Sequence, residues 1–173
     1  MAEKEKILFG EPCYKIRTLE EKNIPQMRDL FRSTVLNVNI RDYTKEEVED
    51  WASCGENLKH LKELLSYNQF VGAFDEHDAL VGFASMNKDG YLHSMFVHKD
   101  FQRKGIATLL LSEVEQIAEQ YGVTQITSEV SLTASTFFEK KGYEVVKAQK
   151  YRTNKLELTN FVMRKILNYE QSI

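Results

Sequence analysis

Gln102, Gly105 and Ala107 are spaced as Gln-x-x-Gly-x-Ala, with Arg103 and Lys104 filling the first gap. They stand where a strand-like run gives way to a helix-like one. A helix start leaves several backbone N–H groups without partners, and its dipole favours an anion there. Gly105 removes the Cβ that would keep a phosphate away from the backbone, and Ala107 keeps the next turn small. Arg103 and Lys104 add positive charge at the same place. The chemistry of this stretch is phosphate binding. Neither G-x-x-x-x-G-K-[ST] nor G-x-G-x-x-G occurs in the chain, which excludes the P-loop and the dinucleotide fingerprint.

The elements that must position this cradle follow from periodicity. Residues 91–97 are aromatic, apolar and β-branched and predict a strand. Ile106, Leu109, Leu110, Val114, Ile117 and Ala118 recur at helical spacing and predict the helix behind the turn. Upstream, Tyr14-Lys15-Ile16-Arg17-Thr18 alternates as a strand. Pro25 fits the first turn of a helix whose apolar face is Ile24, Met27, Leu30, Phe31 and Val35. Thr44 and Glu47 form a capping box that opens a second helix carrying Val48 and Trp51. Residues 56–65 predict a third, with Leu58, Leu61, Leu64 and Leu65 inward. Residues 69–74 and 80–86 are strands joined by turn residues, and 87–90 is a second turn leading into the strand at Tyr91. A strand at 125–130, a helix after it and a last antiparallel pair at 145–150 and 156–165 complete a mixed, mostly antiparallel α+β sheet flanked by helices. Residues 1–13 read as a loose extension with a short strand at 7–9, and 1–173 as a single domain.

Composition narrows the class. Hydrophobic content of 42% and charged content of 28% suit a soluble globular domain. The net charge of −3, with basic and acidic residues interleaved, excludes a nucleic-acid stripe. No apolar run reaches membrane-spanning length, and Met-Ala-Glu-Lys-Glu-Lys is too charged to begin a secretory signal, so the expected location is cytoplasmic. Cys13 and Cys54 have neither metal spacing nor a disulfide framework, and His60, His77 and His98 show no ligand spacing. No metal is expected.

The segment Gln102-x-x-Gly105-x-Ala107, behind a strand ending at Val97, resembles the acetyl-coenzyme A signature Q/R-x-x-G-x-G/A of the GNAT N-acetyltransferases. A second run, from Ser131 through Ala134, Phe137, Phe138 and Gly142 to Tyr143, resembles the family's N-x-x-A-x-x-F-Y-x-x-x-G-F at the right distance. The resemblance spans residues 16–166. It is nearest to a small bacterial subgroup with a Phe-Phe pair and a Leu-x-Asn-x-x-Met ending, here Leu158, Asn160 and Met163. It implies acetyl-coenzyme A as co-substrate and an amine acceptor, and leaves a homodimer open. By resemblance, pantetheine lies along the strand as an added edge, held by the Phe96 and Val97 backbones. Gln102 belongs to the signature, and the pyrophosphate takes N–H groups of Arg103, Lys104, Gly105, Ile106, Ala107 and Thr108. The helices before residue 69 build the acceptor pocket.

Acetyl transfer to an amine needs a base and an acid. His93 and Glu129 are the candidate bases. His93 lies four residues before Val97, so strand alternation puts both on one face, and its ordinary pKa of about 6.5 suits proton removal near neutrality. Glu129 closes the strand after the cofactor helix. Their alternatives are a histidine packed among Tyr91 and Met95, and a solvated carboxylate. The family's Tyr acid is replaced by Phe138, and its Asn by Ser131. An enzyme using direct transfer is the leading expectation. The rival is a coenzyme-binding module without catalysis, which the Phe at 138 favours.

Overall fold

The computed structural model describes residues 4–6 and 13–168. Its elements run β1 (Lys4–Lys6), β2 (Tyr14–Thr18), α1 (Ile24–Asn37), α2 (Lys45–Ser53), α3 (Leu58–Tyr67), β3 (Gln69–Phe74) and β4 (Leu80–Met86). They continue through β5 (Tyr91–Leu92), β6 (Met95–Val97), α4 (Ile106–Gln120), β7 (Gln125–Ser131), α5 (Ser135–Lys140), β8 (Glu144–Arg152) and β9 (Glu157–Ile166). The short strand expected at residues 7–9 lies outside the described residues. Lys4–Lys6, within the expected loose extension, pairs antiparallel with Tyr14–Ile16 as an edge strand.

The strands form two sheets, ordered β1-β2-β3-β4-β6 and β5-β7-β9-β8. The run expected as one strand over residues 91–97 is broken at His93 and Ser94. Its first piece pairs parallel with β7, at Tyr91↔Thr127 and Leu92↔Ser128. Its second piece pairs antiparallel with β4, at Gly82↔Val97, Phe83↔Phe96 and Ala84↔Met95. A strand that changes sheets leaves backbone groups without ladder partners, and buried ones must find others. Two buried serines supply them. Ser85 Oγ accepts the Ser94 N–H at 3.1 Å, and Ser128 Oγ donates to the Leu92 carbonyl at 2.8 Å. Ser94 Oγ lies 2.7 Å from His93 Nδ1.

Helices cover β4 on both faces. α1 contributes Met27 and Leu30 to a cluster with Phe70, Phe74, Leu80 and Phe83. α4 buries Ile106, Leu110, Leu111, Val114, Ile117 and Ala118 against Val81, Ala84, Met86, Ile126 and Met163. Full burial stabilises each such side chain by about 1.5–3 kcal/mol. A Cβ on Gly82 would meet Ile106 and Leu110 at 3.0 Å and the Phe96 carbonyl at 3.2 Å. The bare glycine thus lets the first turns of α4 lie directly on β4. The capping box at Thr44 and Glu47 is present, with Pro25 in the first turn of α1. The third helix differs from expectation. No residue of α3 is buried, and Leu58 faces solvent while Leu64 and Leu65 pack only partly.

A buried carboxylate joins α2 to the last hairpin. Asp50 Oδ2 accepts the Thr153 hydroxyl and the backbone N–H groups of Lys155 and Leu156, the latter two at 2.9 and 3.0 Å. The Thr153 hydroxyl, then these amides, hold its carboxyl below the ordinary carboxylate value. A lowered folded pKa gives stability that is present above the unfolded value and lost as pH falls through the folded one. Asp50→Asn is therefore expected to lower the thermal midpoint at pH 7 and to speed amide exchange at Lys155 and Leu156. The gap to wild type should close as pH falls below the ordinary carboxylate range. The same gap at both pH values would contradict the linkage.

Candidate active site

The break between β5 and β6 opens the molecule at one place. Among the described residues β6 is the last strand of its sheet, and its second edge has no strand beside it. In the β4–β6 ladder, Ser85 N–H bonds the Ser94 carbonyl and His98 N–H bonds the Val81 carbonyl. Antiparallel alternation then makes Phe83↔Phe96 the hydrogen-bonded pair and turns the Met95 and Val97 backbone groups to the open edge. Phe96, expected to offer its backbone to a ligand, faces β4 instead. Its ring joins Phe31, Trp51 and Phe83, at centroid distances of 5.0, 6.2 and 5.6 Å. The Val97 carbonyl already receives the Thr34 hydroxyl at 3.0 Å and Gln102 Nε2 at 2.8 Å. Both its lone pairs are used, so Val97 has only its N–H to offer. Met95, absent from the sequence expectations, takes the other open-edge position.

Gln102 ties the turn to the strand end rather than facing outward. Beyond it, Arg103 has φ 58° and Gly105 φ 81°. Gly105 N-caps α4 without any side-chain bond, and the first helical bond runs from the Leu109 N–H to its carbonyl at 3.0 Å. The Ile106, Ala107 and Thr108 N–H groups therefore precede the helical ladder. A Cβ on Gly105 would find nothing within 4 Å, so the glycine opens onto free space. That space fits a phosphate group approaching the helix start. The Ile106 side chain is core, leaving only its backbone for binding, while the Arg103, Lys104 and Thr108 side chains are exposed. Lys104 Nζ lies 5.1 Å above the Phe101 ring.

Next to the open edge lies a cavity of about 210 Å³. One wall is aromatic, with Phe31, Tyr43, Trp51 and Phe96 in edge contacts. The opposite wall is one face of the second sheet. The register Ser131↔Asn160 and Leu158↔Tyr151, with Tyr91↔Thr127, sets Tyr91, Glu129, Ser131, Asn160, Leu158 and Tyr151 on a shared face. All six line the cavity. His93 and His60 line it too, as do Cys54, Arg28 and Phe138. Tyr43 also braces this wall, donating to the Thr159 carbonyl at 2.7 Å and accepting the Leu132 N–H at 3.0 Å.

The structure thus brings His93 and Glu129 to one cavity, though the strand break means alternation does not relate His93 to Val97. Burial and then the facing His60 push the His93 pKa down, with Glu129 opposing them. The imidazole is neutral at pH 7. Burial, the Glu129 charge and a hydrogen bond to its carboxylate push the Tyr91 phenol up. Burial chiefly raises Tyr151 as well, with Cys54 and Glu129 adding to it, and burial raises Cys54. Each phenol keeps its proton, and the Cys54 thiol is a poor nucleophile. Phe138 lies edge-on to Phe137 and Tyr143, at 5.5 and 5.1 Å. The Tyr143 hydroxyl is committed to Glu115 at 3.0 Å. Asn160 enters the sequence reading only through the Leu-x-Asn-x-x-Met ending and Tyr151 not at all, because both reach the cavity from the last hairpin; alternation within residues 156–165 was the available signal for Asn160 alone. Among the described residues no cluster of three His, Cys, Asp or Glu side chains could hold a metal, and no helix is long and apolar enough to cross a membrane.

Comparison with known proteins agrees with this geometry. The chain is 28% identical over 150 residues to YafP, an uncharacterized N-acetyltransferase of Escherichia coli K12, covering 87% of this chain and 94% of that one. A GCN5-related N-acetyltransferase from Rhodopseudomonas palustris superposes with a TM-score of 0.86 at 25% identity, over 94% of this chain and 99% of the other. The PaiA N-acetyltransferase of Thermoplasma acidophilum, solved in complex with coenzyme A, superposes at 0.72 with 20% identity, over 89% and 99%. The model of the acetyltransferase (GNAT) domain matches residues 39–165, and with the split strand and the glycine-capped helix already in view, the chain belongs to the GNAT acetyltransferases.

Proposed function

We propose that the protein binds acetyl-coenzyme A and passes the acetyl group directly to a primary amine of a small molecule or peptide. One observation carries the reading: the open backbone edge of β6 runs from the glycine cradle into a cavity that holds a neutral imidazole and a carboxylate. The pyrophosphate belongs at the N–H groups of residues 103–108, and pantetheine along the Met95 and Val97 edge. In the reaction the amine nitrogen forms a bond to the thioester carbon, and the tetrahedral oxyanion takes an edge N–H. As the C–S bond breaks, its electron pair leaves with sulfur. The surplus amine proton goes to His93, or to Glu129. A coenzyme thiolate is a fair leaving group, so water can protonate it without a tyrosine at 138.

Phe138 favours a second reading, a coenzyme-binding module that senses acyl-coenzyme A. Thiol release across a panel of amines separates the two, since the module would bind coenzyme and release none.

Gly105→Glu puts bulk and negative charge in the open space of the cradle. Coenzyme A affinity should fall by about 100-fold or more. Calorimetry on the folded variant measures it, and wild-type affinity would place the site elsewhere.

With His93 as base, kcat/KM should fall on an acidic limb lying below the ordinary histidine pKa of about 6.5. His60→Ala removes a lowering influence and should move the limb to higher pH. Glu129→Gln removes a raising one and should move it to lower pH. A limb that neither change moves assigns the base elsewhere.

Phe138→Tyr adds a hydroxyl to a buried ring that packs edge-on against Phe137 and Tyr143. Its gain in kcat should stay below about tenfold, against the ~10²–10⁴-fold typical of general acid catalysis. A wild type inactive on every amine beside an active tyrosine variant would favour the sensing module.

A further inference from the structure

Asn160 is 8% exposed, lines the cavity, and its Oδ1 has no hydrogen-bond partner. Leaving a buried polar atom unpaired is costly, and a carboxamide on a cavity wall can turn to meet an occupant there. The register puts it directly opposite Ser131 and diagonal to Glu129 on the same sheet face, a separation of about 7–8 Å between backbones. A half-turn of the carboxamide exchanges oxygen and nitrogen, so it can either accept or donate. Glu129 is the only carboxylate among the cavity-lining residues, and Arg28 is the only Lys or Arg. Arg28 Nε lies 3.3 Å from the Asp29 carboxylate, so the pair is close to neutral as a whole and offers little to a carboxylate or to a second cation on the ligand. The remaining wall, Phe31, Trp51 and Phe96, favours a flat apolar body.

These constraints define the acceptor. We propose that it is a small monocationic amine with a ring-bearing apolar body and one neutral hydrogen-bonding group close to the nitrogen, a hydroxyl or amide, which Asn160 reads while Glu129 attracts the ammonium. The first proton of that ammonium passes to solvent before the neutral amine attacks. This rests on the acetyltransfer reading above. Asn160 is then a specificity-determining residue: it sets which amine is held for attack and takes no part in the bond changes at the thioester.

The test measures thiol release from acetyl-coenzyme A with four acceptors: 2-amino-1-phenylethanol, 2-phenylethylamine, spermidine and phenylalanine. Wild type should prefer the amino alcohol to phenylethylamine in kcat/KM by about 5- to 150-fold, the range of one buried hydrogen bond. Spermidine and phenylalanine should rank below both. Asn160→Leu should shrink the ratio between the first two towards one. Asn160→Thr, which keeps a polar atom, should retain part of it and serves if the leucine variant does not fold. Equal wild-type efficiency on the first two amines, or a preference for spermidine or phenylalanine, overturns the proposal. A ratio unchanged in both variants overturns the role of Asn160. Thiol release with unrelated amines but none of these four sinks the acceptor class and leaves acetyltransfer standing. Coenzyme binding by calorimetry with no thiol release from any amine sinks acetyltransfer itself.

Discussion

The change of sheet at His93 and Ser94 is the constraint on which the rest of the structure depends. A continuous strand over residues 91–97 would join both sheets without a gap. Its break gives β6 a free edge, separates it from β7, and creates the cavity between them. The break is sustainable because Ser85 and Ser128 replace the missing ladder bonds inside the core. Without them, buried backbone groups would each lose about 1–3 kcal/mol. His93 stands within the break itself, so the segment that opens the site also delivers a titratable group to it.

Much of this arrangement was legible in the chain, and the reason is locality. The cradle is written in consecutive residues, since Gly105 must take a left-handed φ and leave space, and only the residue at that position decides it. Helices α1, α2 and α4 were legible from apolar spacing and caps. The strand break was not, because Tyr91, Leu92, Met95, Phe96 and Val97 have the composition of one strand, and the serines that relieve the break, Ser85 and Ser128, lie on two other strands. The open-edge role of Met95 in place of Phe96 depends on ladder parity, which no local pattern carries. In α3 the leucine spacing was real, but the helix faces a cavity and solvent instead of a filled core. The sheet-borne wall of the cavity needs the cross-strand register, and that emerges only when β9 lies between β7 and β8.

The ionisation of the cavity follows from its walls. Burial and the Glu129 charge keep protons on the Tyr91 and Tyr151 phenols, and burial with His60 keeps the His93 ring neutral. A neutral ring surrounded by protonated phenols leaves Glu129 as the dominant negative charge facing the cavity.

Asp50 links two elements that both build that cavity. α2 carries Trp51, and the β8–β9 hairpin carries Tyr151, Leu158 and Asn160, with Asp50 fastening the hairpin turn to the helix. The two are about a hundred residues apart in the chain yet behave as one piece. In evolutionary terms they form a single unit of exchange. A hairpin moved alone into a related enzyme would lose the carboxylate that holds its turn, and a helix moved alone would carry that carboxylate without partners. Acceptor preference can therefore diverge by paired change in these two elements, while the strand break and the cradle between them stay as they are.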